Sequence, residues 1–236
     1  MFQFDGTRRI RLLMRHFDEL FALAAARKGG ARPLEKLLSK PKTPRSLRKI
    51  PDDRWLSEMT KSVFQAGFVW RIVEAKWPDF ERVFENFDVH GVAYLSDEAI
   101  EVLLGDATII RHHKKLRSTR ENAAFLLDLA AEHGTAAKFF ADFPSDSYID
   151  LLDCLKNRAS RMGGTSAQYF LRKMGKDSFI LSRDVVRALI REKIVDRNAT
   201  SKRDLRAVQT AFNTWCEQGG RSLTEVSRTL AMGVDS

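Results

Sequence analysis

Residues 147–174 read SYIDLLDCLKNRASRMGGTSAQYFLRKM and predict two helices joined by a short glycine turn. Apolar residues recur at three- and four-residue steps over 147–158 and again over 164–174, as on one face of an α-helix. The intervening Ser160-Arg161-Met162-Gly163-Gly164 is too short and too rich in glycine to be helical. Such a turn directs backbone N–H groups outward beside the positive end of the second helix, and both favour a phosphate. An ordinary pair of packed helices is the alternative.

Helical spacing continues along most of the chain, and no convincing pair of strands is found. The sequence therefore predicts an all-α protein of about ten helices. Further helices are expected from Ile10 to Gly29, over 33–40, from Asp52 or Asp53 to Gly67, on to Trp77-Pro78, over 79–87, from Ser96, over 109–133 and 136–142, from Ser182 to about 193, from Thr200 or Ser201 to about 218, and from Ser222 onward. The predicted N-caps are Asp52 or Asp53, Ser182, Thr200 or Ser201, and Ser222, which forms a capping box with Glu225.

Three regions are expected. Residues 1–50 form a basic helical extension that ends in a linker, KPKTPRSLRKIP, with three prolines. Residues 51–175 form the core. Residues 176–236 form carboxyl-terminal helices that pack with the amino-terminal segment as a second lobe.

The net charge of +9 is concentrated at the amino terminus. Residues 1–50 hold 13 Lys and Arg against 4 Asp and Glu, whereas the other 186 residues hold 27 of each sign. This pattern indicates either an anionic partner such as nucleic acid or a solvated basic surface. A hydrophobic fraction of 44% argues against disorder, and no apolar run approaches the ~18 residues of a membrane span. Two cysteines cannot form a disulfide framework, so we expect a reducing, cytoplasmic setting.

An acid follows the glycine turn at a distinctive distance, because Asp184 lies 21 residues after Gly163. Turn and acid together resemble the helix-hairpin-helix DNA glycosylase superfamily, whose GxGxxTA-like hairpin precedes an aspartate at the mouth of a base pocket. The match is partial, since Arg161 stands at the first glycine. The resemblance implies catalysis by Asp184, for which a plain first-turn acid is the alternative. It also implies DNA-backbone contacts from the hairpin: Arg161, Met162, Gly163, Gly164, Thr165 and Ser166.

Three further segments occur in order: Phe64-Gln65-Ala66-Gly67-Phe68-Val69-Trp70, Asp106-Ala107-Thr108-Ile109-Ile110-Arg111-His112 and Asn122-Ala123. They resemble the DNA-3-methyladenine glycosylase I family over roughly residues 52–175. The resemblance implies a helix-hairpin-helix glycosylase fold with two lobes around a base pocket. The implied activity is that of a monofunctional DNA N-glycosylase, which excises 3-methyladenine or a related alkylated base in base-excision repair.

The implied pocket residues are Ser62, Gln65, Phe68 and Trp70. A ring such as Trp70 or Phe68 can bind a cationic alkylated base through its quadrupole, with Trp55 and Tyr169 as weaker candidates. Core packing is the alternative for each aromatic, and a buried structural amide is the alternative for Gln65.

Three departures from the families stand out. Ser62 occupies the place of a pocket glutamate, three residues before the glutamine. The cysteines and histidines of a zinc clasp have no counterparts, so we expect no metal and no cofactor. Thr165 stands where lyase-type members carry a lysine, which does not support a Schiff-base step.

The expected partner is double-stranded DNA with a damaged base, bound by a monomer without a membrane. Two other functions stay open. One is a glycosylase of the same fold for a different modified base, which the serine at position 62 favours. The other is a non-catalytic helix-hairpin-helix DNA-binding protein, against which Asp184 argues.

Overall fold

The computed structural model describes residues 14–235, which are almost entirely helices and short connections without a strand. The predicted all-α class is confirmed. Fourteen α-helices occur in this range rather than about ten, since several have only four to seven residues. They are α1 Phe17–Arg27, α2 Ala31–Leu37, α3 Pro44–Leu47, α4 Asp52–Gln65, α5 Trp70–Val83, α6 Val89–Ala93, α7 Asp97–Gly105, α8 His113–His133, α9 Ala136–Asp142, α10 Tyr148–Arg158, α11 Thr165–Met174, α12 Arg183–Arg191, α13 Lys202–Gly219 and α14 Leu223–Met232, with 3₁₀ turns at Glu85–Phe87 and Ser145–Ser147.

Contacts divide the described chain into two compact units. The hairpin unit comprises Lys42–Phe143 and Asp150–Lys176. The terminal unit comprises the described residues up to Pro41, Pro144–Ile149 and the chain from Asp177 onward. The three domains expected from the sequence remain a proposal about which parts fold independently.

Helix α4 is the centre of the hairpin unit and contacts α5, α8, α9 and α11. Trp55 is fully buried on α4 and stacks on Phe140, with ring centroids 4.5 Å apart. Its ring also meets the edge of Phe170 on α11 at 5.8 Å. Trp55 is therefore a core residue, in line with the packing alternative.

Asp52 has a different role from the one predicted. Helix α4 begins at Asp52 and its N-cap is Pro51, so neither Asp52 nor Asp53 caps it. The Asp52 carboxylate instead accepts the N–H groups of Ala136 and Ala137, at 3.1 and 3.0 Å. It supplies acceptors for the free donors at the start of α9, a tertiary contact that local sequence does not reveal.

Two predicted breaks are wrong. Helix α5 continues through Pro78 to Val83, where the sequence predicted a boundary. The linker of residues 40–51 is not wholly extended, because Thr43 caps α3 by accepting the N–H of Ser46. Leu47 of this short helix is buried, and burial offsets the low helical tendency of a proline-rich stretch.

The terminal unit includes part of the basic amino-terminal segment. Phe17 and Leu20 on α1 are buried, and the backbone N–H of Phe17 donates to Gln218 Oε1 at 3.0 Å. The indole N–H of Trp215 donates to the carbonyl of Arg15 at 3.1 Å. Helix α1 is thus an integral element of this unit. The predicted helical residues before Met14 lie outside the described range.

Local capping signals in the terminal unit are confirmed. Ser182, Ser201 and Ser222 are the N-caps of α12, α13 and α14, and Ser222 forms a capping box with Glu225. Among the described residues, no helix is long and apolar enough to cross a membrane.

Candidate DNA-binding hairpin and base pocket

The predicted glycine hairpin is present. Helix α10 ends at Arg158 and α11 begins at Thr165, so six residues make the turn. These six residues and the first two of α11, Thr165 and Ser166, are called here the hairpin. Two residues of the turn have a positive φ, Arg161 at 59° and Gly164 at 60°. Gly164 takes this conformation without a steric cost, whereas Arg161 does not. The first turn of α11 begins immediately after Gly164, as an anion site at a helix N-terminus requires.

Asn122 holds the hairpin from α8. Its side-chain oxygen accepts the N–H of Ser160 at 2.7 Å, and its amide donates to the carbonyl of the same residue at 3.1 Å. Asn122 is fully buried, so these two bonds form away from water. Asn122, the first residue of the Asn-Ala segment, therefore clamps the hairpin backbone.

The hairpin residues differ in what they offer DNA. The side chains of Arg161 and Thr165 are exposed, Gly163 and Gly164 are exposed, and Ser166 is half-buried. Met162 is fully buried, so its side chain supports the turn from inside. The predicted contact from Met162 is thus restricted to its backbone.

A cavity of about 180 Å³ adjoins the start of α11. It is smaller than the ~300–1,000 Å³ typical of drug-sized ligand sites, a size that suits a single heterocyclic base. It is lined by Ser62, Gln65, Ala66, Gly67, Trp70, Thr165, Ser166 and Tyr169, and is called here the pocket.

The structure therefore brings together three of the predicted pocket residues, Ser62, Gln65 and Trp70, with two hairpin residues, Thr165 and Ser166. Trp70 is 43% exposed, and its ring meets the edge of Tyr169 with centroids 5.2 Å apart. Tyr169, the weaker candidate in the sequence, is thus a lining residue.

Phe68 does not line the pocket. Its ring instead faces the ammonium of Lys115, whose Nζ is 5.0 Å from the centroid. Phe68 follows the turn Gln65-Ala66-Gly67, which reverses the chain after α4 with φ 72° at Gly67. This reversal directs Trp70 toward the cavity and Phe68 toward α8.

Lys115 fixes that turn and was missed by sequence reasoning. Its Nζ donates to the carbonyls of Phe64 at 3.1 Å and Ala66 at 2.7 Å, which are free acceptors at the end of α4. Burial, and secondarily the positive charge of Arg161, lower the pKa of Lys115. The lysines that follow the second family segment indicate a basic surface. No local pattern predicts that Lys115 donates to the carbonyls of Phe64 and Ala66.

A polar network lies against the pocket. Lys173 on α11 donates to Gln65 Oε1 and forms an ion pair with Glu58 at 3.2 Å. The amide of Gln65 donates to Glu74 Oε1 at 2.8 Å, so both ends of this side chain are engaged. Gln65 is also buried. It therefore lines the pocket and is a buried structural amide, the two roles that the sequence left open.

The same lysine occupies a face of the predicted stacking ring. Lys173 Nζ lies 4.8 Å from the ring centroid of Trp70. Tyr169 and Lys173, four residues apart on α11, thus both contact Trp70. The four-residue spacing of Tyr169 and Lys173 can be seen in the sequence. Their contact with Trp70 at the start of α5 cannot, because it depends on the tertiary fold.

Asp184 lies in the first turn of α12, in the terminal unit, and is half-buried. The cap of that helix is Ser182, whose hydroxyl accepts the N–H of Val185 at 3.3 Å. Asp184 is therefore not needed as the cap. Its catalytic role stays a prediction.

The cysteines do not fit a zinc clasp. Burial raises the pKa of Cys154, and it raises the pKa of Cys216 to about 12, which disfavours the thiolate that binds zinc. Within residues 14–235, no group of three or more His, Cys, Asp and Glu side chains is arranged to hold an ion.

A sequence model of the methyladenine glycosylase family matches residues 47–179, more than half of the chain. The chain belongs to the methyladenine glycosylase family. The matched region includes the pocket, the hairpin, Lys115 and Asn122, whereas Asp184 lies beyond its end.

Individual proteins of this kind are also similar. DNA-3-methyladenine glycosylase 1 of Escherichia coli strain K12 is 37% identical over 65 residues, which are 28% of this chain and 35% of that protein. The match thus spans about a third of the curated relative.

Two solved structures from Staphylococcus aureus are likewise similar. A mutant of 3-methyladenine DNA glycosylase I matches with 21% identity and a TM-score of 0.48, covering 53% of this chain and 77% of that one. A second structure, which describes how 3-methyladenine DNA glycosylase I recognises 3-methyladenine, matches with 20% identity and a TM-score of 0.49. The match covers 58% of this chain and 80% of that one.

Proposed function

We propose that the protein is a monofunctional DNA N-glycosylase that excises 3-methyladenine or a related alkylated base from double-stranded DNA in base-excision repair. One observation carries the proposal: Thr165 and Ser166 belong both to the start of α11 and to the lining of the pocket that holds Trp70. A helix start that binds a phosphate would thus hold the DNA backbone beside a cavity for one extruded base.

Each pocket residue has a task in this reaction. The exposed part of the Trp70 ring stacks on the extruded base, and the hydroxyls of Ser62, Thr165 and Ser166 offer hydrogen bonds to its edge. Gln65 is held by Lys173 and Glu74, so its remaining donor and acceptor are presented in one orientation.

Bond cleavage needs little further assistance. An alkylated purine that already carries a positive charge is a good leaving group, because cleavage neutralises it. We propose that the Asp184 carboxylate stabilises the oxocarbenium character of the sugar or orients water. Thr165 offers no amine, so the proposed product is an abasic site with the strand intact.

Two rival functions keep their place. A different modified base is favoured by Ser62 and by the ammonium that already faces Trp70. A non-catalytic DNA-binding protein would keep the hairpin without using the pocket. Action as a monomer in the cytoplasm is part of the leading proposal.

Release of free base from methylated DNA separates these functions. The wild type is expected to release 3-methyladenine, and Asp184→Asn to slow release by about 10²-fold or more, as loss of an electrostatic stabiliser does. Asp196→Asn, an exposed aspartate of the same unit, is the matched control and is expected to behave as wild type.

Absence of release from any alkylated substrate would reject the leading function. Unimpaired release by Asp184→Asn would reject only the role of that carboxylate. Release of another modified base alone would establish the first rival.

A further inference from the structure

The pocket has an ion pair behind its wall. Glu58 and Lys173 lie 3.2 Å apart, on α4 and α11 of the same unit, and their side chains are 19% and 26% exposed. Partly buried charges of this kind are screened by solvent less than surface pairs. Their field therefore extends into the adjoining cavity.

Each partner is connected to a different part of the pocket. Glu58 accepts a hydrogen bond from the lining hydroxyl of Ser62 at 3.4 Å. Lys173 donates to Gln65 and lies over the ring of Trp70, both of which are lining residues. The negative partner thus acts through the serine and the positive partner through the stacking ring.

A second ion pair also lies near the pocket. Glu74, which accepts from Gln65, pairs with Lys61 at 3.3 Å. The Glu58–Lys173 pair differs because its two charges contact different lining residues, so removal of either one leaves the opposite charge unpaired behind the pocket.

We infer that the Glu58–Lys173 pair sets the selectivity of the pocket between positively charged alkylated bases and neutral modified bases. Glu58 favours a cationic base, whereas Lys173 disfavours it by repulsion and by competing for the π-face of Trp70. This inference rests on the proposed glycosylase function. Both residues are positioning residues, because they act through Ser62, Gln65 and Trp70.

The two partners make the inference testable because their removal has opposite electrostatic effects. Glu58→Gln leaves the ammonium unpaired, and Lys173→Met leaves the carboxylate unpaired. If the pair were only structural, either substitution would break the same contact and lower the rate in the same direction. Opposite directions are therefore a signature of charge.

The experiment measures single-turnover release of 3-methyladenine from methylated DNA. Glu58→Gln is expected to lower the rate about ten- to twentyfold, the effect of one unit charge about 10 Å away at an effective dielectric near 20. Lys173→Met is expected to exceed the wild-type rate, because the repulsion is lost while Gln65 keeps its hydrogen bond to Glu74. The double variant is expected to recover from the loss caused by Glu58→Gln. Release of hypoxanthine, a neutral base, is expected to shift in the reverse sense.

Two controls isolate the effect. The double variant Arg117→Gln/Glu121→Gln breaks an exposed pair on α8 of the same unit and is expected to leave release unchanged. Affinity for DNA with a tetrahydrofuran abasic-site analogue, which places no base in the pocket, reports whether each variant still binds the backbone.

The inference is overturned if Lys173→Met lowers 3-methyladenine release as far as Glu58→Gln does, or if the double variant is slower than Glu58→Gln. Wild-type release with either of these patterns rejects the inference and leaves the proposed function intact. Absence of wild-type release rejects both together.

Discussion

At the residue scale, Arg161 is the least expected feature of the hairpin. It stands where the superfamily motif has glycine, yet its backbone keeps the left-handed conformation that glycine adopts easily. A left-handed conformation costs an L-residue roughly 1–2 kcal/mol. An exposed guanidinium beside a helix start is well suited to a phosphate, which gives the strained position a function.

Arg161→Gly is expected to stabilise the fold by about 1 kcal/mol while weakening DNA binding, because it relieves the backbone and removes the cation. Denaturant unfolding and a salt titration of DNA affinity measure the two effects. Arg161→Ala is the matched control, since it loses the charge but keeps a Cβ, and should weaken binding without the gain in stability. Equal DNA affinity in all three proteins would contradict the proposed contact.

Glu81 predicts a pH dependence of stability. Burial opposes its ionisation, but this is outweighed by hydrogen bonds from Arg54, Ser57 and Trp77, which hold the pKa of Glu81 below its ordinary 4.5. A lowered carboxyl pKa stabilises the fold above pH 4.5, and this contribution is lost as the pH falls through the lower folded-state value.

Glu81→Gln is accordingly expected to lower the free energy of unfolding by about 1–3 kcal/mol at pH 7, because hydrogen bonds to a charged group are lost. Its stability should also fall less than that of the wild type as the pH falls below 4.5. Urea unfolding at pH 7 and at pH 4 measures both. Parallel pH profiles for the two proteins would be inconsistent with the lowered pKa.

At the element scale, Asn122 on α8 holds the hairpin through two hydrogen bonds to Ser160. Asn122→Ala removes both hydrogen bonds to Ser160 and leaves the N–H and carbonyl of Ser160 without these partners. We expect the free energy of unfolding to fall by about 2–4 kcal/mol. DNA affinity should fall as well, because the turn that presents the N–H groups is no longer fixed. Glu121→Gln, the exposed neighbour, is the control. Unchanged stability in Asn122→Ala would contradict the clamp.

Elements with local signals were predictable from the sequence. The ends of α10, α11 and α14 follow from glycines and from capping side chains close to each helix end, and the structure confirms them. The passage of α5 through Pro78 was not predictable, because packing of Trp77 and Phe80 against the core outweighs the lost backbone bond. The cap that Asp52 gives α9 depends on a contact 84 residues away.

The residues in and around the pocket also divide into those that the sequence could predict and those that depend on tertiary contacts. Ser62, Gln65 and Trp70 line one cavity, and their proximity was predictable because they lie within nine consecutive residues. Lys173 and Glu58 were missed, since they meet the pocket only when α11 packs on α4. Phe68 does not line this cavity, because the turn at Gly67 directs its ring toward Lys115.

At the scale of the whole molecule, the basic amino-terminal segment has two parts. Helix α1 is built into the terminal unit through Phe17 and Leu20, so its removal would damage the fold rather than merely reduce charge. The stretch from Lys40 to Lys49 is largely exposed. Among the described residues of the segment, we expect this stretch to add general affinity for the DNA backbone.

The triple variant Lys40→Gln/Arg45→Gln/Lys49→Gln is expected to reduce the salt dependence of DNA affinity. Each lost phosphate contact reduces the magnitude of the slope of log affinity against log salt concentration by about 0.9 on duplex DNA. Base release at saturating protein should change little, because the pocket and hairpin are untouched. A titration of affinity against salt concentration gives the slope directly.

A charge-matched triple variant, Arg197→Gln/Arg203→Gln/Arg206→Gln, removes the same number of exposed cations from the terminal unit. It is expected to leave the slope near that of the wild type. Equal reductions in both triple variants would show that only net charge matters, contrary to a specific role for the exposed stretch.

The central claim is that the hairpin and the pocket beside it act together to remove an alkylated base. Its most direct test is the amount of free 3-methyladenine released from methylated double-stranded DNA by the wild type and by Trp70→Ala. We predict release by the wild type and a reduction of about tenfold or more in the variant, since base stacking contributes ~1–3 kcal/mol. No release by the wild type, or equal release by both proteins, would contradict the claim.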